Sequence, residues 1–183
     1  MRAPALALLA TLAGCAWTVG GGARALPMAG AALVEGQVTA GMGFGAATAE
    51  SFNFAYDMAG SFSYGKDLRG DGTTASQLVG FVLSWPGADG GVGWRASAMA
   101  GAREHMGEGP TTTSGEAWFE LGALFVITHQ RRDKGATATA VSVNGMVGGD
   151  FGGEGPGGLI VGLSVTLEYH SVDDFKLDMR FNQ

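Results

Sequence analysis

The stretch from Ser51 to Tyr64 sorts its side chains almost perfectly by alternate position. Even-numbered positions are aromatic or large and apolar, interrupted only by Gly60: Phe52, Phe54, Tyr56, Met58, Phe62 and Tyr64. Odd-numbered positions are small or polar: Ser51, Asn53, Ala55, Asp57, Ala59, Ser61 and Ser63. Successive side chains of a β-strand point to opposite faces, whereas a helix would scatter these aromatics around its circumference. The stretch therefore predicts a β-strand with one aromatic face and one small, polar face.

The same alternation recurs along the chain and predicts about eight strands. Gly-rich or charged turns separate them, and no long segment after the N-terminus has a helical period. The expected strands lie near residues 34–44, 51–64, 76–85, 92–104, 116–130, 137–150, 159–169 and 175–182. We expect an all-β fold, a single antiparallel up-and-down barrel, because closure removes the exposed edges of an open sheet.

The N-terminus is typical of an export signal, with Arg2 followed by an apolar run too short to span a membrane. Leu12-Ala13-Gly14-Cys15 resembles the lipobox of bacterial lipoprotein precursors. That resemblance implies cleavage before Cys15 and a diacylglycerol on its thiol. The predicted organisation is then a signal peptide (1–14), a Gly/Ala-rich tether (15–33) and a barrel domain (34–183). Cys15 is the only cysteine, so no intramolecular disulfide can form.

A second cleavage site remains open at the N-terminus. Ala23-Arg24-Ala25 fits the A-x-A pattern of ordinary signal cleavage, which would give a signal of residues 1–25 and discard Cys15. Both sites predict export from the cytoplasm.

Charge is scarce on the polar face of the predicted strands. Only 15% of the residues are charged, against ~25% in an average soluble domain. The charges expected on this face are Asp57, Arg95, Glu120, Glu168, Lys176, Asp178 and Arg180. They are few for a solvated exterior but suit a narrow lumen filled by an ion-pair network. The aromatic face, with Phe52, Phe54, Tyr56, Phe62 and Tyr64, would then face lipid.

Aromatic residues near both ends of the predicted strands, and strand lengths sufficient to cross a bilayer, make residues 34–183 similar to the small eight-stranded outer-membrane barrels of Gram-negative bacteria. The resemblance implies an outer-membrane location and a non-enzymatic structural or interaction role. The last segment resembles the C-terminal assembly signal of such barrels, although Asn182 and Gln183 follow its aromatic Phe181. The shorter connections follow the odd-numbered predicted strands, which reverses the asymmetry usual in that family.

Two other functions compete with this interpretation. A lipid-anchored soluble barrel would turn its aromatic face inward, where Phe52, Phe54, Phe62, Phe81 and Phe125 would line a site for a small apolar ligand. A hydrolase acting on lipid at the rim would use Glu168, His170 and Ser171, which are followed by Asp173 and Asp174.

Partners are constrained mainly by charge. The net charge of −6 argues against nucleic acid, because phosphate binding needs clustered Lys and Arg. The expected partner is membrane lipid, and we predict no cofactor and no metal site. The sequence identifies no protein partner.

Overall fold

The computed structural model of the protein describes residues 14–28, 31–47, 52–85, 92–132, 135–152 and 158–172. The described residues form eight β-strands: β1 Gly14–Met28, β2 Ala31–Ala47, β3 Phe52–Asp67, β4 Thr73–Trp85, β5 Val92–Met106, β6 Thr112–Arg132, β7 Gly135–Phe151 and β8 Gly158–Val172. Within the same residues, no helix is long and apolar enough to cross a membrane.

The eight strands form one closed antiparallel barrel, which confirms the predicted fold class. Each strand pairs with the next, and β1 pairs with β8 to complete the ring. Following paired residues around the ring from Arg131 leads back to β6 at Glu120, an offset of eleven positions that includes the bulge between Val126 and Thr128. Such an offset means that the strands are inclined to the barrel axis.

The predicted tether is wrong, because residues 15–28 belong to β1 and residues 31–33 begin β2. The first predicted strand is therefore β2, and the seventh is β8. Alternation was hard to see in β1 because Gly20, Gly21 and Gly22 present no contrast between faces. The even-numbered residues of β1 on either side of these glycines are nevertheless buried: Ala16, Thr18, Arg24 and Leu26. The eighth predicted strand, 175–182, lies outside the described residues.

We call the two ends of the barrel mouth A and mouth B. Mouth A holds the connections that follow β1, β3, β5 and β7, and mouth B holds those that follow β2, β4 and β6, together with Gly14 and Val172. Consecutive strands are separated by two to six residues at both mouths. The extra strand at the start changes which connections follow odd-numbered strands, so the predicted reversal of loop lengths does not hold.

The barrel is apolar outside and polar inside. Large apolar side chains are exposed along the outer face of every strand, whereas the inner face buries Arg, Glu, Asp, Ser and Thr. Phe62, Phe81 and Phe125 point outward and are exposed. This arrangement contradicts the hypothesis of a soluble barrel whose aromatic residues line a ligand site in the lumen. Phe54 lies with Phe44 and Trp85 in an outer aromatic group, and the side chain of Phe52 lies outside the description.

Glycine allows close approach of strands at several inward positions, of which Gly80 is one example. A Cβ built on Gly80 would overlap the carbonyl oxygen of Ala98 on β5. On the neighbouring strand β3, a Cβ on Gly60 would meet nothing nearer than the carbonyl oxygen of Leu78, at 3.9 Å. There is thus no room for a side chain at Gly80, whereas there is room for one at Gly60, although both glycines lie in adjacent paired strands.

We expect Gly80→Ala to destabilise the barrel by about 1–3 kcal/mol, because the added methyl group forces β4 away from β5. Gly60→Ala is the matched control and should change stability little. The measurement is the urea concentration at half-unfolding of the refolded full chain in detergent micelles. Equal midpoints for the two variants would contradict the close approach at Gly80.

Candidate functional site in the barrel lumen

The inner face carries two groups of ionised side chains that are separated along the barrel. The separation can be followed along β6, where alternate residues point inward. Trp118 lies between Glu116 of one group and Glu120 of the other. On β5, Met99 occupies the corresponding position between Arg95 and Arg103. We call the group near the connections of mouth A the mouth-A cluster, and the group on the other side of this apolar layer the mouth-B cluster.

The mouth-A cluster consists of Arg24, Glu35, Arg103 and Glu116, whose side chains are fully buried. Arg103 donates from Nη2 and Nε to the two carboxylate oxygens of Glu116, at 2.8 and 3.0 Å. Its Nη1 donates to Glu35 at 2.7 Å. Each guanidinium therefore pairs with both carboxylates, because Arg24 also donates to Glu35 and lies 3.4 Å from Glu116.

Neutral groups complete the mouth-A cluster. Thr74 donates its hydroxyl proton to Glu35 at 2.7 Å, and Ser76 donates to Glu116 at 2.9 Å. The guanidinium of Arg24 lies over the Trp118 ring, 5.7 Å from its centroid, which favours the cation electrostatically. These contacts offset part of the cost of burying the four charges, although Nη1 of Arg24 has no hydrogen-bond partner.

The mouth-B cluster centres on Arg95, which bridges two carboxylates. Its Nη1 donates to Glu120 at 2.8 Å, and its Nε lies 2.5 Å from Glu168. His170 Nε2 lies 3.0 Å from Glu168 Oε2, an ion pair when the ring is protonated. Thr18 donates its single hydroxyl proton to Asp57, so its oxygen accepts from His170 Nδ1 at 3.1 Å.

An apolar layer lies between the two clusters. It belongs to one buried group of nine residues: Leu26, Leu33, Ala59, Leu78, Val82, Met99, Trp118, Met146 and Ile160. Beside the mouth-B cluster, a void of about 10 Å³ is lined by Thr18, Asp57, Arg95 and Glu168, among others. Such a void has room for about one water molecule. Side chains therefore fill this part of the lumen, and it offers no room for a substrate.

The structure brings four of the seven predicted lumen charges together. Asp57, Arg95, Glu120 and Glu168 are all buried within the mouth-B cluster. Lys176, Asp178 and Arg180 lie outside the described residues. The predicted aromatics Tyr56, Phe62 and Tyr64 lie on the outer face with Phe54, and Cys15 is exposed there as the second residue of β1.

Sequence reasoning missed the mouth-A cluster entirely. The available signal was alternation, because three of the four charges occupy positions on the polar face of their strands: Glu35, Arg103 and Glu116. The sequence offered no sign that these charges meet, because they come from β2, β5 and β6. Arg24 was hidden by the assignment of its segment to a tether.

The residues considered for a rim hydrolase are not arranged for nucleophilic catalysis. His170 is fully buried in the lumen, and Ser171 is also buried. The hydroxyl that contacts His170 belongs to Thr18, whose proton is engaged by Asp57. Asp173 and Asp174 lie outside the described residues. In the described part of the chain, no group of three or more His, Cys, Asp and Glu side chains is arranged to hold a metal ion.

Comparisons with known proteins give a fold likeness only. No protein-family model matches the sequence, and no curated protein matches it. Neisserial surface protein A is 12% identical with a TM-score of 0.47, over 89% of this chain and 99% of that one. The β domain of the Bordetella autotransporter BrkA is 11% identical with a TM-score of 0.39, over 90% of this chain and all of that one. Functional arguments therefore rest on the side chains of this protein.

We expect Arg103→Met to destabilise the barrel by about 3–5 kcal/mol, because it leaves Glu35 and Glu116 buried with only one guanidinium. Arg132→Met is the matched control, since Arg132 is exposed and hydrogen-bonds Tyr169 on the outer surface. Urea unfolding of the refolded chain in micelles measures both. A loss no larger for Arg103→Met than for Arg132→Met would contradict the cluster's contribution to stability.

Proposed function

We propose that the protein is a non-enzymatic, integral β-barrel of the outer membrane of a Gram-negative bacterium, with a structural or interaction role in the cell envelope. The observation that carries this proposal is the inverted polarity of the barrel. Its outer face exposes apolar side chains on all eight strands, while its lumen buries two ionic clusters. This is the polarity that hydrocarbon surroundings favour.

The energetics of the outer face support this proposal. Soluble monomers rarely expose apolar patches larger than a few hundred Å². Here the exposed apolar residues include Met42, Val79 and Leu163, each at least 65% exposed and far from a strand end. In a bilayer the same surface contacts acyl chains. The outer face of the barrel is thus more stable in lipid than in water.

Strand length and aromatic placement also support a spanning barrel. The strands contain 13 to 21 residues, and ~9–11 inclined residues suffice to cross the hydrocarbon core. Towards mouth B an aromatic group joins neighbouring strands: Trp17 with Tyr169, Phe44 with Tyr56, and Trp85 with Trp94. Towards mouth A, Tyr64 and Phe151 are exposed. Aromatic side chains favour both membrane interfaces.

A role without catalysis agrees with the state of the lumen. Within each of the two clusters, the ionised groups pair mainly with one another. The void beside Arg95 has room for about one water molecule. Neither cluster is open to a substrate. A rigid, filled barrel of this kind acts through its outer surface and its mouths, in contact with lipid or with another envelope component.

We also propose that the mature protein begins at Cys15 and carries a diacylglycerol there. Cleavage before Cys15 preserves nearly all of β1, including Arg24, whereas cleavage before Leu26 would remove most of the strand that joins β2 to β8. The Cys15 side chain is exposed on the outer face, opposite Phe44 in the β1–β2 pairing. Acyl chains on its sulfur would lie beside the barrel, in the same lipid layer as the aromatic group.

The test of membrane insertion is a lysine placed at two depths. Val79 and Leu68 are 70% and 68% exposed, but Val79 lies within β4 and Leu68 lies in the turn after β3. In phospholipid vesicles we expect Val79→Lys to cost about 2–4 kcal/mol, because the charge lies in hydrocarbon. Leu68→Lys should cost much less.

The wild-type chain should resist alkaline extraction from membranes, and it should migrate differently on gels with and without boiling. A wild-type protein released by alkali, or a Val79→Lys chain as stable as Leu68→Lys, would contradict a spanning barrel.

Mass spectrometry of the mature protein tests the N-terminus. We expect a first residue of Cys15 with added diacylglycerol mass, and a Cys15→Ser chain that lacks this mass. An unmodified chain starting at Leu26 would refute both the lipidation and the contribution of β1 to the mature barrel.

A further inference from the structure

Asp150 is a buried carboxylate at mouth A that is not accounted for by the mouth-A cluster. Its side chain is fully buried, and neither of its oxygens accepts a hydrogen bond from a described residue. It lies directly opposite Glu116 in the β6–β7 pairing, so a second carboxylate is its cross-strand neighbour. A buried carboxylate without a compensating partner is strongly unfavourable.

The neighbouring guanidinium groups donate no hydrogen bond to Asp150. Arg103 donates hydrogen bonds to Glu35 and Glu116, and Arg24 donates to Glu35, Ser63 and Ser76. With Asp150 included, two guanidinium groups face three carboxylates. The basic group nearest to the excess negative charge is His105, whose Nε2 lies 3.3 Å from Asp150 Oδ2.

His105 is placed to exchange its proton with solvent. Its side chain is 16% exposed and lines an open cavity of about 260 Å³ at mouth A, together with Thr73, Thr74 and Met106. The same Nε2 is 3.3 Å from Ser114 Oγ on β6. The imidazole therefore lies between water on one side and a buried carboxylate on the other.

Other charged groups near His105 are hydrogen-bonded to other residues or exposed to solvent. Asp67 lines the same cavity, but its carboxylate accepts the backbone N–H groups of Ala32 and Arg69 at 2.9 Å each. These two bonds hold the pKa of Asp67 below its ordinary value. Among the described residues, the remaining charged groups around mouth A are Glu35 on β2, Lys66 on β3, Arg69 and Asp71 in the β3–β4 turn, Arg103 and Glu104 on β5, Glu108 in the β5–β6 turn and Glu116 on β6.

We propose that His105 and Asp150 form a pH-sensitive latch at mouth A. When the ring is protonated, His105 pairs with Asp150 and joins β5 to β7 across the inner edge of β6. When the ring is neutral, Asp150 keeps only the electrostatic attraction of Arg103, from which it accepts no hydrogen bond, and this side of the mouth opens more readily. The latch makes the local stability of mouth A depend on whether the His105 ring carries a proton, and histidine is the side chain whose charge changes most readily between mildly acidic and mildly alkaline pH.

The sign of the effect follows from linkage. The ion pair stabilises the folded chain only while His105 is charged, so its contribution is larger at an acidic test pH of about 5.5 than at an alkaline test pH of about 8. We expect the folding equilibrium constant of the wild-type chain, refolded in micelles, to be about tenfold larger at the lower pH through this pair. Urea midpoints at the two pH values measure it.

Variants separate the latch from a simple packing role. His105→Gln and Asp150→Asn should each remove the part of the difference between the two pH values that comes from this pair, and leave any part that comes from His170 beside Glu168. Asp150→Asn should also raise the midpoint at about pH 8, because it removes a buried carboxylate whose oxygens accept no hydrogen bond. His129→Gln, near mouth B, is the control and should keep the wild-type difference. If His105→Gln and Asp150→Asn shift both midpoints equally and preserve the pH difference, the latch is refuted.

A measurement on the wild-type chain alone covers the case in which a variant fails to fold. Amide hydrogen exchange, corrected for the intrinsic pH dependence of exchange, should show weaker protection of residues 105–114 at about pH 8 than at about pH 5.5. The paired segments of β2 and β3 should show no such change. Equal protection of residues 105–114 at the two pH values would overturn the proposal.

Discussion

Closure of the sheet by the pairing of β1 with β8 is the constraint on which the rest of the structure depends. Residues 16–25 of β1 pair with residues 163–172 of β8, so both strands have partners on each side. A closed ring bonds its backbone groups internally, which is a requirement for any sheet in hydrocarbon. Eight strands also fix a bore only wide enough for side chains. Each inward residue must therefore fit the bore, and a polar side chain is favoured there when its polar atoms find partners.

Ion pairs across the bore meet both requirements. Arg103 on β5 reaches Glu35 on β2, and Arg24 on β1 approaches Glu116 on β6, so each contact crosses the bore between strands that are three places apart in the ring. Buried ion pairs stabilise a fold weakly compared with apolar packing, but their geometry is demanding. A one-residue slip of any strand would turn its charge outward. The mouth-A cluster thus helps to fix the register of β1, β2, β5 and β6 relative to one another.

The sequence predicted the parts of this structure that depend on local alternation. The period of two in Phe52–Tyr64 identified β3, and the shortage of charge indicated which face lies inside. Features that depend on contacts between distant strands were not predictable in this way. Glu35, Arg103 and Glu116 each look like isolated polar positions, and their meeting is a property of strand order and inclination. β1 was missed for a different reason, since three consecutive glycines carry no alternation.

The charge balance of the lumen gives its histidines a particular importance. Within the described residues, Arg24, Arg95 and Arg103 face six buried carboxylates: Glu35, Asp57, Glu116, Glu120, Asp150 and Glu168. Two of the three histidines in the sequence, His105 and His170, lie within 3.3 Å of one of these carboxylates. A low-dielectric interior makes any imbalance of charge costly, and among the described residues these two histidines are the basic groups besides the arginines that lie next to the excess carboxylates. The filled lumen is therefore a structural core in which the position of each basic side chain matters, since three guanidinium groups face six carboxylates.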